Sequence, residues 1–173
     1  GSLCFSPVSA EAAKKANKKS AKQIAAEKAA AEQLEAERQA AYNKAIDSNT
    51  IDDWPQGPQI YAESAIVMEA SSGAILYNKD MDMKNYPASI TKIMTALLTL
   101  ENCSLDETVT YSYNATHTID AGSSSIYTTE DEQLTVEQSL YALMLESANE
   151  CANGLAEHVA GSIDAFAEMM NQK

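Results

Sequence analysis

A mixed α/β (α+β) domain behind one long helix is the architecture that the sequence predicts, and three observations predict it. The first is a break in composition. Residues 11–46 are rich in Ala, Lys, Glu and Gln and hold no Gly or Pro, which return only after residue 47. The second is a pair of β-prone runs joined by Ser-Ser-Gly, in "SAIVMEASSGAILYNKD" (Ser64 to Asp80). The third is helical apolar spacing after Pro87, first in "YPASITKIMTALLTLEN" (Tyr86 to Asn102) and again from Val136.

Each element follows in order. Residues 1–10 are set apart as a signal-peptide remnant or tag. Leu3 to Ala10 reads as the tail of a secretory signal, with small residues at the cleavage positions, so an exported protein is expected. Cys4 follows Leu3 rather than a small residue, which does not suit lipidation. Residues 11–46 are helical by intrinsic propensity. Their large apolar residues, Ile24, Leu34, Tyr42 and Ile46, keep no heptad, so a solvated spacer of about 50 Å is expected rather than a coiled coil. Residues 47–60, with "WPQGPQ", read as a linker.

From residue 61 the domain proper begins. Ser64 to Asp80 predicts a β-hairpin with Ser-Ser-Gly at its turn. The next helix starts close to Ser89, just after Pro87, and ends near Asn102. Its spacing makes Ile90, Ile93, Met94, Leu97 and Leu98 a core-facing stripe. Thr108 to Tyr113 suits a short strand, and Ala115 to Asp131 reads as irregular. Thr135 and Gln138 form a capping box for a helix whose core face is Val136, Leu140, Leu143 and Met144. Gly161 suits a helix stop, and a last helix starts from Ser162.

Charge divides the chain. Residues 11–46 carry eight Lys and Arg against five Glu, a net of +3. Residues 47–173 carry four Lys against twenty Asp and Glu, a net of −16. Phosphate would be repelled by so acidic a domain, which argues against nucleic acid as a partner. Only "KKANKKSAK" (Lys14 to Lys22) suits a peripheral contact with membrane or acidic wall polymer. No apolar run is long enough to span a bilayer. Cys4, Cys103 and Cys151 have no metal-ligand spacing. A Cys103–Cys151 bridge is one reading of the last two, and a pair of inert buried thiols is the preferred one.

Ser89 and Lys92 stand one helical turn apart at the start of an oily helix, near enough for hydroxyl and amine to meet. A cap and a solvated lysine explain the same pair in isolation. Scarcity of cations in the domain favours a purpose for Lys92. A free serine hydroxyl is a poor nucleophile and needs an adjacent base. Lysine serves as that base only when neutral, and desolvation on an apolar helix lowers its pKa in the required direction. About sixty residues on, in "SANECANGLAE", Ser147 and Asn149 sit one residue apart at a junction between helices. Taken alone, that pair is ordinary capping chemistry.

A Ser-x-x-Lys at a helix start followed by a Ser-x-Asn between helices resembles the active-site serine penicillin-binding enzymes. The blocks "ESAIVMEASSGAILYNKD", "YPASITKIMTALLTLE", "AGSSSIYTTEDEQLTVEQSLYALMLESANECANGLAEHVAG" and "AFAEMMNQK" look like successive blocks of the low-molecular-mass D-alanyl-D-alanine carboxypeptidases. The resemblance covers about Tyr61 to Lys173. It implies a serine β-lactamase/DD-peptidase-like fold, with Ser89, Lys92 and Ser147 as catalytic residues and Asn149 as a substrate-binding residue. It further implies that peptidoglycan stem peptides and β-lactams are the partners, with no metal or organic cofactor, at an extracytoplasmic site in the cell envelope. His117 and His158 match no role in that scheme.

The departures are specific. The 173 residues contain no Lys-Thr-Gly, the family's third motif, and the domain is expected to be incomplete at its C-terminus. By that resemblance the chain alone would be inactive or nearly so. Two other readings share some features: a serine β-lactamase, for which no block resembles the glutamate-bearing loop, and a truncated, non-catalytic binding or structural module.

Overall fold

The computed structural model describes residues 19–47 and 51–173. The expected signal remnant, Cys4 and the start of the basic run lie outside the described residues. The chain divides into two compact units, one running to Lys84 and the other from Asn85 to Lys173.

The first unit begins with helix α1 (Ala21–Asn43). Ser20 closes a capping box on it: the Ser20 hydroxyl accepts from the Gln23 amide at 3.2 Å, and the Gln23 side chain accepts from the Ser20 amide at 2.8 Å. Nearly every α1 residue is exposed until the last turn. There the solvated-spacer expectation fails, because that turn packs. Ala41 is buried, and the Tyr42 ring lies 4.6 Å from that of Tyr61.

The reason is a lysine on the hairpin. Strands β1 (Ala65–Met68) and β2 (Ile75–Lys79) pair antiparallel, with a register shift between Val67 and Met68. Lys79 at the end of β2 is fully buried. An ammonium can sit there only if acceptors meet it. Its Nζ donates to the Ala41 carbonyl at 2.7 Å and the Ile60 carbonyl at 2.6 Å. Ala41 lies in the last turn of α1, and its carbonyl, which accepts from the Lys44 amide at 3.2 Å, takes the lysine as a second donor.

The segment expected as a linker packs against the same hairpin. The Tyr77 hydroxyl donates to the Pro58 carbonyl at 3.0 Å. Gly57 has φ +87°, and a Cβ there would lie 2.8 Å from the Tyr77 ring. An apolar cavity of about 420 Å³ lies between this strap and the strands, lined by Trp54, Pro58, Val67 and Tyr77 among others. At the hairpin turn Glu69 accepts from the amides of Ser71 and Ser72 and from both hydroxyls. Those donors lower its carboxyl pKa to about 2.

The second unit is helical with one small ribbon. A 3₁₀ turn (Ala88–Ile90) leads into α2 (Thr91–Asn102). Strand β3 (Thr108–Thr110) follows, then α3 (Tyr113–His117). Strand β4 (Gln133–Thr135) pairs antiparallel with β3 and runs directly into α4 (Val136–Leu145). Helices α5 (Asn149–Ala160) and α6 (Ile163–Gln172) complete the unit. The expected Thr135–Gln138 capping box is present, and Gly161 ends α5 with φ +81°.

The core gathers Val109, Tyr111, Val136, Leu143, Cys151 and Leu155. Gly154 lets α5 approach Tyr111 closely, since a Cβ there would lie 2.7 Å from the ring. Of the stripe expected on α2, Leu98 is buried with Met94 packed beside it, and the other three residues face outward. Ile90, Ile93 and Leu97 are 67 %, 60 % and 40 % exposed, while Lys92, Thr95, Leu98 and Thr99 are buried. Apolar spacing marks the oilier side of a helix. Here α4 and α5 pack against the side that carries Lys92 and two threonines, and the Thr99 hydroxyl is satisfied by the Thr95 carbonyl at 2.8 Å. Met144 of α4, also expected in the core, is 53 % exposed. Among the described residues no helix is long and apolar enough to cross a membrane.

Candidate active site

Two interruptions of helical backbone bring the site together. The first is the 3₁₀ turn before α2, which carries Ser89 just after Ala88 with φ +49°. The second is the junction between α4 and α5, where Ser147 has φ +56°. A left-handed backbone at a non-glycine residue costs roughly 1–3 kcal/mol, and such strain concentrates at functional sites. Both strained residues lie beside or within the candidate constellation.

All four residues singled out in the sequence meet. Ser147 Oγ donates to Ser89 Oγ at 2.9 Å. Lys92 Nζ reaches Ser89 Oγ at 3.4 Å and donates to Asn149 Oδ1 at 2.6 Å. Ser89 therefore lies between an amine and a second hydroxyl, and Asn149 contacts the amine. Lys92 is 9 % exposed. Burial pushes its ammonium below the ordinary lysine range, and the nearby charge of Glu150 acts in the opposite direction.

Glu150 was not singled out in the sequence, although it supports this geometry. It is 1 % exposed, and its Oε1 accepts from the Ser125 hydroxyl and the Ile126 amide, both at 2.7 Å. Its Oε2 has no hydrogen-bond partner among the described residues. The neighbouring Asn149 amide donates to the Ser124 carbonyl at 2.9 Å. The start of α5 is thus tied to the "SSSI" loop on two sides. The signal for this was weak: one carboxylate beside Asn149 on the face of α5 that also carries Gly154. A cleft of about 280 Å³ opens on the Lys92–Asn149 side, lined by Ala88, Thr95, Asp120 and Asn153 among others.

The two histidines lie elsewhere, with His117 stacked on Tyr113 and His158 against Glu107. Cys103 and Cys151 are both free. Cys151 is fully buried, and burial raises its thiol pKa to about 11; Cys103 is only half-buried.

The family profile of the D-alanyl-D-alanine carboxypeptidases matches residues 49–173. The chain belongs to this family. The carboxypeptidase relatives include DacF of Bacillus subtilis, 34 % identical over 117 residues, which cover 65 % of this chain and 29 % of DacF. DacA of Escherichia coli is 34 % identical over 125 residues, covering 68 % of this chain and 31 % of DacA. The chain therefore spans about three tenths of the length of these carboxypeptidases. Among solved structures, penicillin binding protein 6B from Escherichia coli superposes with a TM-score of 0.64 at 30 % identity, over 72 % of this chain and 42 % of that one. The fold is that of the penicillin-binding DD-peptidases over the matched part.

Proposed function

We propose that the protein is a serine-type D-Ala-D-Ala carboxypeptidase, and that Ser89 is its nucleophile. One observation carries the assignment. In a member of this family, the Ser89 hydroxyl stands between the Lys92 amine and the Ser147 hydroxyl, at 3.4 and 2.9 Å.

The chemistry follows from those contacts. Neutral Lys92 takes the Ser89 proton as Oγ attacks the carbonyl of the penultimate D-alanine. Asn149 keeps the amine in place. Backbone N–H groups at the start of α2 favour the negative charge that develops on the carbonyl oxygen. The proton passes through Ser147 to the leaving amine, the C–N bond breaks, and terminal D-alanine departs. Water then attacks the Ser89 ester, restoring the hydroxyl and releasing the shortened peptide as a carboxylate. A β-lactam presents a strained amide to the same hydroxyl and would acylate it by the same route.

The natural substrate on this reading is a peptidoglycan stem peptide, met outside the cytoplasm in the cell envelope. The acidic character of residues 47–173 opposes a nucleic-acid substrate. The basic start of the chain would supply any contact with membrane or wall polymer. The test is release of D-alanine from a peptide ending in D-Ala-D-Ala by the full-length protein. Ser89→Ala should abolish release, and retention of most of the activity would remove Ser89 from the role.

A further inference from the structure

Cys103, Glu107 and His158 come together at the opposite end of the helix pair from Ser89. Cys103 caps the C-terminus of α2, Glu107 lies in the turn before β3, and His158 sits in the last turn of α5. One donor atom from each, the Cys103 sulfur, a Glu107 carboxylate oxygen and a His158 ring nitrogen, all lie within 4.8 Å of one another. His158 Nε2 and Glu107 Oε2 are 2.9 Å apart. Glu107 Oε1 accepts from the Ser104 amide at 2.6 Å, which fixes the carboxylate. Cys103 and His158 are half-buried and Glu107 is exposed, so the cluster opens to solvent.

We propose that Cys103, Glu107 and His158 form a binding site for a thiophilic divalent cation of the Zn²⁺ class. One sulfur, one imidazole nitrogen and one carboxylate oxygen make a donor set that such borderline-soft ions take, with a fourth position left for water. Metal–ligand bonds of about 2.0–2.3 Å in tetrahedral array put donor atoms roughly 3.4–3.8 Å apart, so the His158–Glu107 pair, 2.9 Å apart, opens by about half an ångström while the more distant contacts close in by about one at most. On coordination Cys103 gives its thiol proton to solvent, the His158–Glu107 hydrogen bond breaks with the ring proton carried on Nδ1, and Nε2 donates its lone pair to the ion. A divalent cation neutralises thiolate and carboxylate together.

The position gives the ion a mechanical role. Lys92 and Asn149 meet at the N-terminal ends of α2 and α5, while Cys103 and His158 meet at their C-terminal ends. The two helices therefore run parallel, and the cluster lies about 16 Å along α2 from Lys92. An ion there clips together the two helices that position Lys92 and Asn149, without entering the cleft.

The test is a Co²⁺ titration of the full-length protein after treatment with a chelator, followed by absorbance. The expected result is one ion per chain, near-ultraviolet thiolate-to-cobalt bands with visible d–d bands, and displacement by Zn²⁺. Cys103→Ser should remove the thiolate bands, and His158→Gln should weaken binding at least about tenfold, the loss that even outer-shell changes produce at metal sites. Zn²⁺ should raise the Tm of the unaltered protein and leave that of Cys103→Ser unmoved. Circular dichroism without metal checks both variants, and His158→Gln alone decides should serine at 103 disturb the fold. A protein with no saturable cobalt spectrum overturns the proposal. So do thiolate bands that persist in Cys103→Ser, or unchanged affinity in His158→Gln.

Discussion

The Lys92 amine is closer to the Asn149 amide oxygen, at 2.6 Å, than to the Ser89 hydroxyl, at 3.4 Å. The amide therefore orients the amine, and a rotamer-rich lysine is held in one position beside the nucleophile. Removing that tether by Asn149→Ala should cost about 10²-fold in kcat/KM, the loss that an ångström of misplacement brings. Steady-state release of D-alanine measures it. An Asn149→Ala variant with unaltered kcat/KM would show that Lys92 needs no such support.

Lys92→Arg should be nearly as damaging as loss of the side chain, because guanidinium does not give up its proton at working pH. The charge is kept, so a role that needs only a cation would survive this change. Comparing Lys92→Arg with Lys92→Ala in the same assay separates the two.

Glu150 offers a test in pH. Burial lowers the Lys92 pKa and the Glu150 charge raises it. Lys92 acts as a base only when neutral, so activity rises with pH through its folded-state pKa. Glu150→Gln removes the opposing charge while its amide oxygen can still accept from Ser125 and Ile126. The ascending limb of the kcat/KM profile should therefore move to lower pH. A limb that stays put or moves upward contradicts the coupling.

Gly154 tests the core. A methyl group there meets the fully buried Tyr111 ring at 2.7 Å, and Tyr111 is itself held by hydrogen bonds to Ser139 at 2.8 Å and Cys151 at 3.3 Å. Overpacking of this kind costs about 1–3 kcal/mol, and the better helix propensity of alanine returns up to about 1. Gly154→Ala should be destabilised by about 1–2 kcal/mol in urea unfolding. An equally stable variant would show that Tyr111 has room to move.

Lys79 tests the role of α1. Lys79→Met leaves the Ala41 and Ile60 carbonyls without their charged donor, a loss of about 1.5–3 kcal/mol for hydrogen bonds of this class. Proteolysis should then open the chain near residues 43–60 faster than in the unaltered protein. Unchanged cleavage would mean that the helix end is not tied to the hairpin.

Much of this was legible in the sequence because the signals were local. Ser-Ser-Gly between two β-prone runs, Thr135 with Gln138, and Gly161 after a helical run each act through neighbours a few residues away. The same locality brought Ser89 and Lys92 onto one helical edge. Their meeting with Ser147 and Asn149 rested on resemblance, since no local rule joins positions 89 and 147. What the sequence hid was tertiary. Nothing near Lys79 reveals that it is buried against the end of α1, and the apolar stripe of α2 does not say which face α5 will take. Strand β4 leaves no signal of its own in the sequence, because Gln133–Thr135 is only three residues long and has meaning only as the partner of β3.

The central claim, that Ser89 is the nucleophile, has one most direct measurement. Full-length protein is treated with a fluorescent penicillin, denatured, digested and mapped by mass spectrometry. The account predicts a single covalent adduct on the peptide containing Ser89, which disappears in Ser89→Ala. An adduct on another residue, or labelling of Ser89→Ala as strong as that of the unaltered protein, would contradict it.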